Sequence, residues 1–147
     1  MPKLWDKNSK QLNAKIEAFT IGEDQKWDGY LAKYDVIGTL AHIQMLCAVG
    51  LLKPEELELL RKELKSIYQE IEKENFKIEE GVEDVHSQIE LMLTRKLGDV
   101  GKKIHSARSR NDQILLDLKL FTRTEIEKIV HAVVELFDSF IAQSEKY

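Results

Sequence analysis

The 147-residue sequence has few residues that break or cross-link a chain: two prolines, seven glycines and one cysteine. A single cysteine, Cys47, cannot form an intrachain disulfide, which argues against a disulfide-stabilised secreted scaffold and favours a reducing compartment. The first ten residues lack the apolar segment of a secretory signal. No window approaches the roughly 20 apolar residues that span a bilayer. We therefore expect a cytoplasmic protein that does not associate with a membrane.

Neither sign of charge dominates the chain, since 26 acidic and 22 basic residues give a net charge of −4. This balance argues against a dedicated nucleic-acid-binding protein. Hydrophobic residues make up 43% of the sequence, which is enough for a core, and 33% of the residues are charged. Abundant charge with little glycine and proline favours helices over strands.

Hydrophobic residues recur three or four positions apart in several stretches, which is the spacing of one face of a helix. We predict helices over residues 28–50, 54–74 and 85–97. Pro54 suits the first position of the second helix, and Asp84 is a candidate N-cap of the third. Gly98 and Gly101 are expected to end that helix and open a loop. No stretch alternates with the period of two typical of strands, so the predicted fold class is all-α.

The last stretch, from Ser109 to Tyr147, contains neither glycine nor proline. Apolar residues alternate spacings of three and four along it, as in the seam of a coiled coil. These residues, called the seam below, are Ile126, Ile129, Val133, Leu136 and Phe140. A helix of about 39 residues would be about 58 Å long, longer than a compact domain of this chain. The seam must therefore pack on other helices, and we predict association.

A basic segment (residues 98–110) precedes this helix and contains four Lys or Arg residues and one acid, Asp99. Because the chain is otherwise acidic, the segment concentrates positive potential. It leads into a helix start, where free backbone N–H groups also favour anions. Arg108, Ser109, Arg110 and Asn111 add side-chain donors suited to a carboxylate. A solvent-exposed basic turn capped by Ser109 is the simpler alternative.

The segment Gly101-Lys-Lys-Ile-His-Ser-Ala-Arg-Ser-Arg-Asn-Asp-Gln113 resembles the signature G-K-L-H-T-G-R-S-R-N-D-Q of argininosuccinate lyases. Upstream, Glu83-Asp-Val-His86 resembles the E-D-(I/V)-H segment of that family, as Leu4-Trp5 resembles its N-terminal part. Within the signature, Ile104, Ser106 and Ala107 replace Leu, Thr and Gly, and Lys103 fits as an extra residue. Ala107 replaces a family glycine, which matters if the backbone there needs angles that alanine resists. The G-G-R-F run that follows Leu-Trp in the family is absent.

The resemblance implies the fold of the fumarase and aspartase superfamily. It implies an N-terminal helical domain with a substrate-binding loop over residues 1–108, and the start of the central long-helix bundle over residues 109–147. Family members split argininosuccinate into arginine and fumarate by elimination, and they act as homotetramers. The resemblance implies no cofactor. No group of His, Cys, Asp and Glu has the spacing of a metal site.

The resemblance also implies roles for individual residues. Ser109, Arg110 and Asn111 would bind substrate, with Arg110 contributing most of the electrostatic stabilisation. Asp84 and His86 would also bind substrate, with His86 in a supporting role, although a buried, hydrogen-bonded helix histidine is an equal alternative for His86. His105 is expected to shape the loop. The remaining histidines, His42 and His131, are expected to be structural.

Two catalytic segments of the family do not occur in this sequence: the loop with the serine base and the Thr-His segment. We therefore expect the substrate-binding part of a lyase, inactive alone. Two other hypotheses remain. The chain could belong to another lyase of the superfamily, such as adenylosuccinate lyase or fumarase. It could also be a non-catalytic helical protein that kept the lyase scaffold, as lens crystallins did.

Overall fold

The computed structural model of the chain describes residue 19 and residues 22–147. The Leu4-Trp5 match lies outside these residues. Within the described part all regular structure is helical, so the predicted all-α class is confirmed. The helices are α1 (Asp24–Asp28), α2 (Ala32–Ala48), α3 (Pro54–Glu72), α4 (Val85–Leu97), α5 (Asp99–Lys102) and α6 (Arg110–Lys146), with 3-10 turns at Gly29–Leu31 and Lys103–His105.

Helix α3 begins where the sequence predicts, with Pro54 in its first turn. Lys53 before it is extended, and its backbone N–H donates to the Glu56 carboxylate at 3.0 Å, which satisfies a donor at the helix start. Leu60, Leu64 and Ile67 are fully buried on one face. Burying each side chain contributes about 2 kcal/mol, so this face fixes the orientation of α3.

The hydrophobic core lies between α2, α3 and α4 and extends to the 3-10 turn after α5. Its members from α2 and α4 and from that turn include Val36, Ile43, Leu46, Ile89, Leu93 and Ile104. Helix α6 also packs against α2, but only through its first turns. The core therefore holds the basic segment between α4 and the beginning of α6.

The sequence predicted that Gly101 opens a loop, and the structure shows a different role. It lies in the short helix α5 and is buried. A Cβ atom at this position would lie 2.5 Å from the backbone carbon of Leu93 and 2.5 Å from the nitrogen of Thr94. Glycine is therefore required because α5 packs directly on the backbone of α4. Only Gly98, with φ of 62°, ends α4 as predicted.

Helix α6 contains 37 residues and is about 55 Å long. Gln113 and Asp117 near its start are buried, and Phe121 contacts Tyr34 edge to face at a centroid distance of 6.0 Å. Beyond this point the seam is exposed, with Ile129 and Phe140 each 64% accessible. Among the described residues no helix is long and apolar enough to cross a membrane. The predicted association through the seam stays a prediction.

Candidate functional site

The start of α6 is fixed by a reciprocal cap between Ser109 and Asp112. The Ser109 backbone is extended, its hydroxyl accepts from the Asp112 N–H at 3.3 Å, and its own N–H donates to the Asp112 carboxylate at 2.8 Å. Hydrogen bonds from the backbone and side chain of Ser109 lower the pKa of Asp112. Because Ser109 precedes the helix and Asn111 lies in its first turn, the exposed Ser109 and Asn111 lie at the positive end of α6.

Arg110 joins the start of α6 to the start of α4. Its guanidinium donates to the Asp84 carboxylate and, at 2.9 Å, to the Ser87 hydroxyl. Asp84 is also the N-cap of α4, as the sequence predicts, because it accepts the Ser87 N–H at 2.7 Å. The positive ends of two helix dipoles therefore meet at Arg110. We call this pair of N-termini the joined helix ends.

Helix α2 holds the basic segment through two hydrogen bonds. The Thr39 hydroxyl accepts from the Arg108 guanidinium at 2.9 Å, and His42 Nε2 lies 2.8 Å from the Ser106 carbonyl oxygen. Ala107 lies between these two anchored residues and has a φ of 60°, in the left-handed region. This conformation costs an alanine about 1–2 kcal/mol.

A buried polar cluster lies beneath the basic segment and consists of Asp35, His86, Gln113 and Asp117. The four side chains come from α2, α4 and α6 and are at most 7% exposed. His86 Nδ1 lies 3.0 Å from Asp35 Oδ1, which also accepts from the Gln113 amide at 3.2 Å. Asp117 Oδ2 lies 3.8 Å from the same histidine nitrogen. Because a carboxylate only accepts, the proton of His86 lies on Nδ1.

The protonation states of the cluster follow from its burial and from its charges. Burial, followed by repulsion from Asp35, raises the pKa of Asp117 to about 7, against smaller opposing effects of His86 and Arg108. Burial by itself would lower the pKa of His86, but the hydrogen bond and charge of Asp35 and the charge of Asp117 outweigh it and raise the pKa. The imidazole of His86 on α4 thus lies next to the carboxyl groups of Asp35 on α2 and Asp117 on α6. Electrostatic attraction among these groups stabilises the packing of the three helices.

Three members of this cluster are the type of residue that ligates metals. Asp35, His86 and Asp117 offer ligand atoms within 4.8 Å of one another. Asp35 Oδ1 is engaged within the protein, because it accepts from Gln113 and lies 3.0 Å from His86 Nδ1, and Arg108 adds a positive charge near both carboxylates. A cation would have to displace these contacts. The geometry therefore favours an internal ionic network over a metal centre.

The structure brings together most of the predicted site residues. Ser109, Arg110 and Asp84 meet at the joined helix ends, and Asn111 lies beside them with an exposed side chain. His86, two positions after Asp84, turns instead into the buried cluster. The binding roles of these residues stay predictions.

Sequence reasoning did not identify several polar residues around the site: Asp35, Thr39, Gln113 and Asp117. A signal was present, because Asp35, Thr39 and His42 recur at spacings of four and three on α2 and so share one face. Apolar residues at the neighbouring positions of this helix obscured that polar stripe. His42, predicted to be structural, does hold the loop.

Comparison with known proteins places these observations in a family. The sequence matches the family described as Lyase over residues 2–147. It is 66% identical over 145 residues to an argininosuccinate lyase of Bacteroides thetaiotaomicron and 59% identical to one of Parabacteroides distasonis, each match covering 99% of this chain and 32% of the relative.

A more distant argininosuccinate lyase, from Thermotoga neapolitana, is 42% identical over 142 residues, which are 95% of this chain and 35% of that protein. The chain thus spans about a third of the length of the curated relatives that it matches. The match includes the basic segment, the joined helix ends and the buried cluster. The chain belongs to the lyase family, and the relatives that it resembles there are argininosuccinate lyases.

Proposed function

We propose that this chain forms one wall of the active site of an argininosuccinate lyase, which cleaves argininosuccinate to arginine and fumarate by β-elimination. The observation that carries the proposal is the joined helix ends, where Arg110 holds two helix N-termini together beside Ser109 and Asn111. The substrate is a small molecule with three carboxylates. Two positive helix ends and a cluster of polar donors suit such an anion.

The chemistry of elimination explains why fixed donors are needed. A base removes the proton from the carbon beside a carboxylate, and the electron pair moves onto the carboxyl oxygens before the guanidinium nitrogen departs. Donors that are already oriented stabilise this negative charge more than that of the ground state. We propose that Ser109, Arg110 and Asn111 supply such donors. Asp84 would orient Arg110, and His86 would brace the site through the buried cluster.

The remaining catalytic groups would lie outside the matched third of the relatives' length. We propose that the 147-residue chain does not turn over argininosuccinate alone. Two catalytic segments of the family, the loop with the serine base and the Thr-His segment, do not occur in its sequence. Residues 1–108 would form the helical domain that binds substrate, and residues 109–147 the start of the central bundle. The exposed seam supports assembly, proposed to be a homotetramer. We further propose a cytoplasmic enzyme that needs no cofactor or metal.

A chimera tests this function. Residues 2–147 would replace the matching segment of the Bacteroides thetaiotaomicron argininosuccinate lyase, and fumarate release would be followed by ultraviolet absorbance. We expect turnover of argininosuccinate and none of adenylosuccinate or malate. A chimera that keeps the oligomeric state and helix content of its parent but lacks turnover would refute the proposed function.

Arg110→Ala in the active chimera tests the role of the joined helix ends. Losing one preorganised donor should lower kcat by about 10²–10³-fold, with unchanged helix content by circular dichroism. Arg123→Ala is the matched control, because Arg123 is an exposed arginine on the same helix whose contact with Glu127 is 4.0 Å long. Near-normal activity of Arg110→Ala would contradict the assignment.

A further inference from the structure

The backbone around Ala107 is anchored on both sides to α2. Thr39 accepts from Arg108, the residue after Ala107, and His42 is bonded to the carbonyl of Ser106, the residue before it. Thr39 and His42 are three positions apart on one face of α2, so both anchors come from a rigid element. Ala107 between them has a φ of 60°, which an L-residue with a Cβ atom adopts only under constraint.

The contact of His42 has a defined direction. The Ser106 carbonyl oxygen can only accept, so Nε2 of His42 carries the proton and donates it. Burial lowers the pKa of His42, against the opposing effect of the bond to Ser106, and the charges of Arg108 and His105 lower it further. Near neutral pH, the uncharged imidazole of His42 therefore carries its proton on Nε2 and donates it to the Ser106 carbonyl oxygen.

The position of Ser106 controls groups that face the proposed substrate. Ala107 and Arg108 connect it to Ser109, whose extended backbone starts the cap of α6. A change in the backbone angles of Ala107 would rotate the peptide that leads into Ser109. It would therefore move Ser109, and with it the first turn of α6 that carries Asn111, relative to Asp84 at the start of α4.

We propose that His42 is a positioning residue for the substrate-binding groups, because its bond to the Ser106 carbonyl holds Ala107 in the left-handed conformation that places Ser109 and Asn111. The proposal rests on the proposed lyase function. It assigns His42 a role through the backbone and not through contact with substrate. Thr39 and Arg108 form the second anchor of the same turn.

Kinetics of the chimera described above test this role. His42→Leu removes the donor and should lower kcat/KM for argininosuccinate about fivefold, the equivalent of one net hydrogen bond, mainly through KM. His42→Gln keeps an amide donor that reaches the position of Nε2 and should restore kcat/KM to within twofold. Gln44→Leu, the same kind of change at an exposed position on the same helix, is the matched control.

A double variant connects the effect to Ala107. Glycine adopts the left-handed conformation without needing to be held there. His42→Leu should therefore cost less kcat/KM in an Ala107→Gly background than in the unchanged chimera. In the 147-residue chain, amide NMR signals of Ser109 and Asn111 should shift on His42→Leu and not on Gln44→Leu, a readout that does not require turnover.

The outcomes separate this proposal from the proposed function. An unsubstituted chimera that keeps the oligomeric state and helix content of its parent but lacks turnover refutes the lyase function and, with it, the catalytic relevance of His42. An active chimera in which His42→Leu has a normal KM overturns the role of His42 alone. The role of His42 is also overturned if His42→Gln lowers kcat/KM as much as His42→Leu does and Ala107→Gly restores none of the loss. That pattern would show that the imidazole ring acts through packing and not through its hydrogen bond. Unshifted Ser109 and Asn111 amides overturn it as well.

Discussion

Substitution of Gly101 by alanine tests how α5 and the basic segment are attached to the core. The added Cβ would lie 2.5 Å from the Leu93 carbon and the Thr94 nitrogen and 2.7 Å from the Leu93 oxygen. All three are backbone atoms within α4, so they cannot rotate away as a side chain can. Helix α5 would have to move outward by roughly 1 Å to restore ordinary contact distances.

The magnitude follows from two opposed effects. Alanine in a helix is favoured over glycine by about 1 kcal/mol, whereas overpacking of a closely packed contact costs about 1–3 kcal/mol or more. With three backbone atoms under 3.0 Å, overpacking dominates. We expect a net loss of about 2 kcal/mol in the free energy of unfolding. At about 3 °C for each kcal/mol, the midpoint of thermal unfolding should fall by about 6 °C.

Urea and thermal unfolding of the chain, followed by circular dichroism, measure this loss, at two protein concentrations because of the exposed seam. Gly29→Ala is the matched control. A Cβ there would meet no atom within 4 Å, and φ of −54° suits alanine, so stability should be unchanged or slightly higher. A Gly101→Ala variant within 0.5 kcal/mol of the parent would refute close packing of α5 on α4.

Three further predictions concern the turn, the buried cluster and the seam. Ala107→Gly should stabilise the chain by up to about 1 kcal/mol in urea unfolding, since glycine relieves a left-handed φ; a loss of stability would contradict strain at this residue. Asp117→Asn should gain stability relative to the parent as pH rises from about 4 to about 7. The pKa of Asp117 is raised to about 7 in the folded chain. Below about pH 4 the parent carries this proton in both the folded and the unfolded state, whereas between about pH 4 and about pH 7 only the folded state keeps it, so the parent loses stability as pH rises. Parallel curves of unfolding free energy against pH for the two proteins would contradict this prediction. Val133→Glu, at a position 59% exposed within the seam, should shift an associated chain toward monomer in light scattering, and an unchanged mass would show that the seam is not the interface.

Local features of the sequence were sufficient to predict the main helices. Pro54 with its spaced leucines predicted α3, Asp84 predicted the cap of α4, and the absence of glycine and proline after Ser109 predicted α6. Each of these signals depends on residues a few positions apart, whose interactions are largely set by the helix itself. The short helix α5 was missed, because four residues around Gly101 give too little periodicity to identify a helix.

Contacts between helices could not be predicted in the same way. Asp35, His86 and Asp117 lie on three different helices, and no spacing in the sequence indicates that they meet. The partner of Arg110 also follows only from packing: its charge predicted an anion, and the folded chain supplies Asp84 as one such anion. Helix packing determines which buried charges become neighbours, and burial then shifts their pKa values.

The sequence by itself determined the helical class, the helix starts and the basic segment that resembles a lyase signature, because these depend on local periodicity, capping and residue type. Only the tertiary structure decided that the starts of α4 and α6 are joined, that α2 holds the basic segment, and that Ala107 is left-handed between two anchors. The physical reason is that hydrogen bonds and close packing between distant segments depend on how the helices are placed against the shared core.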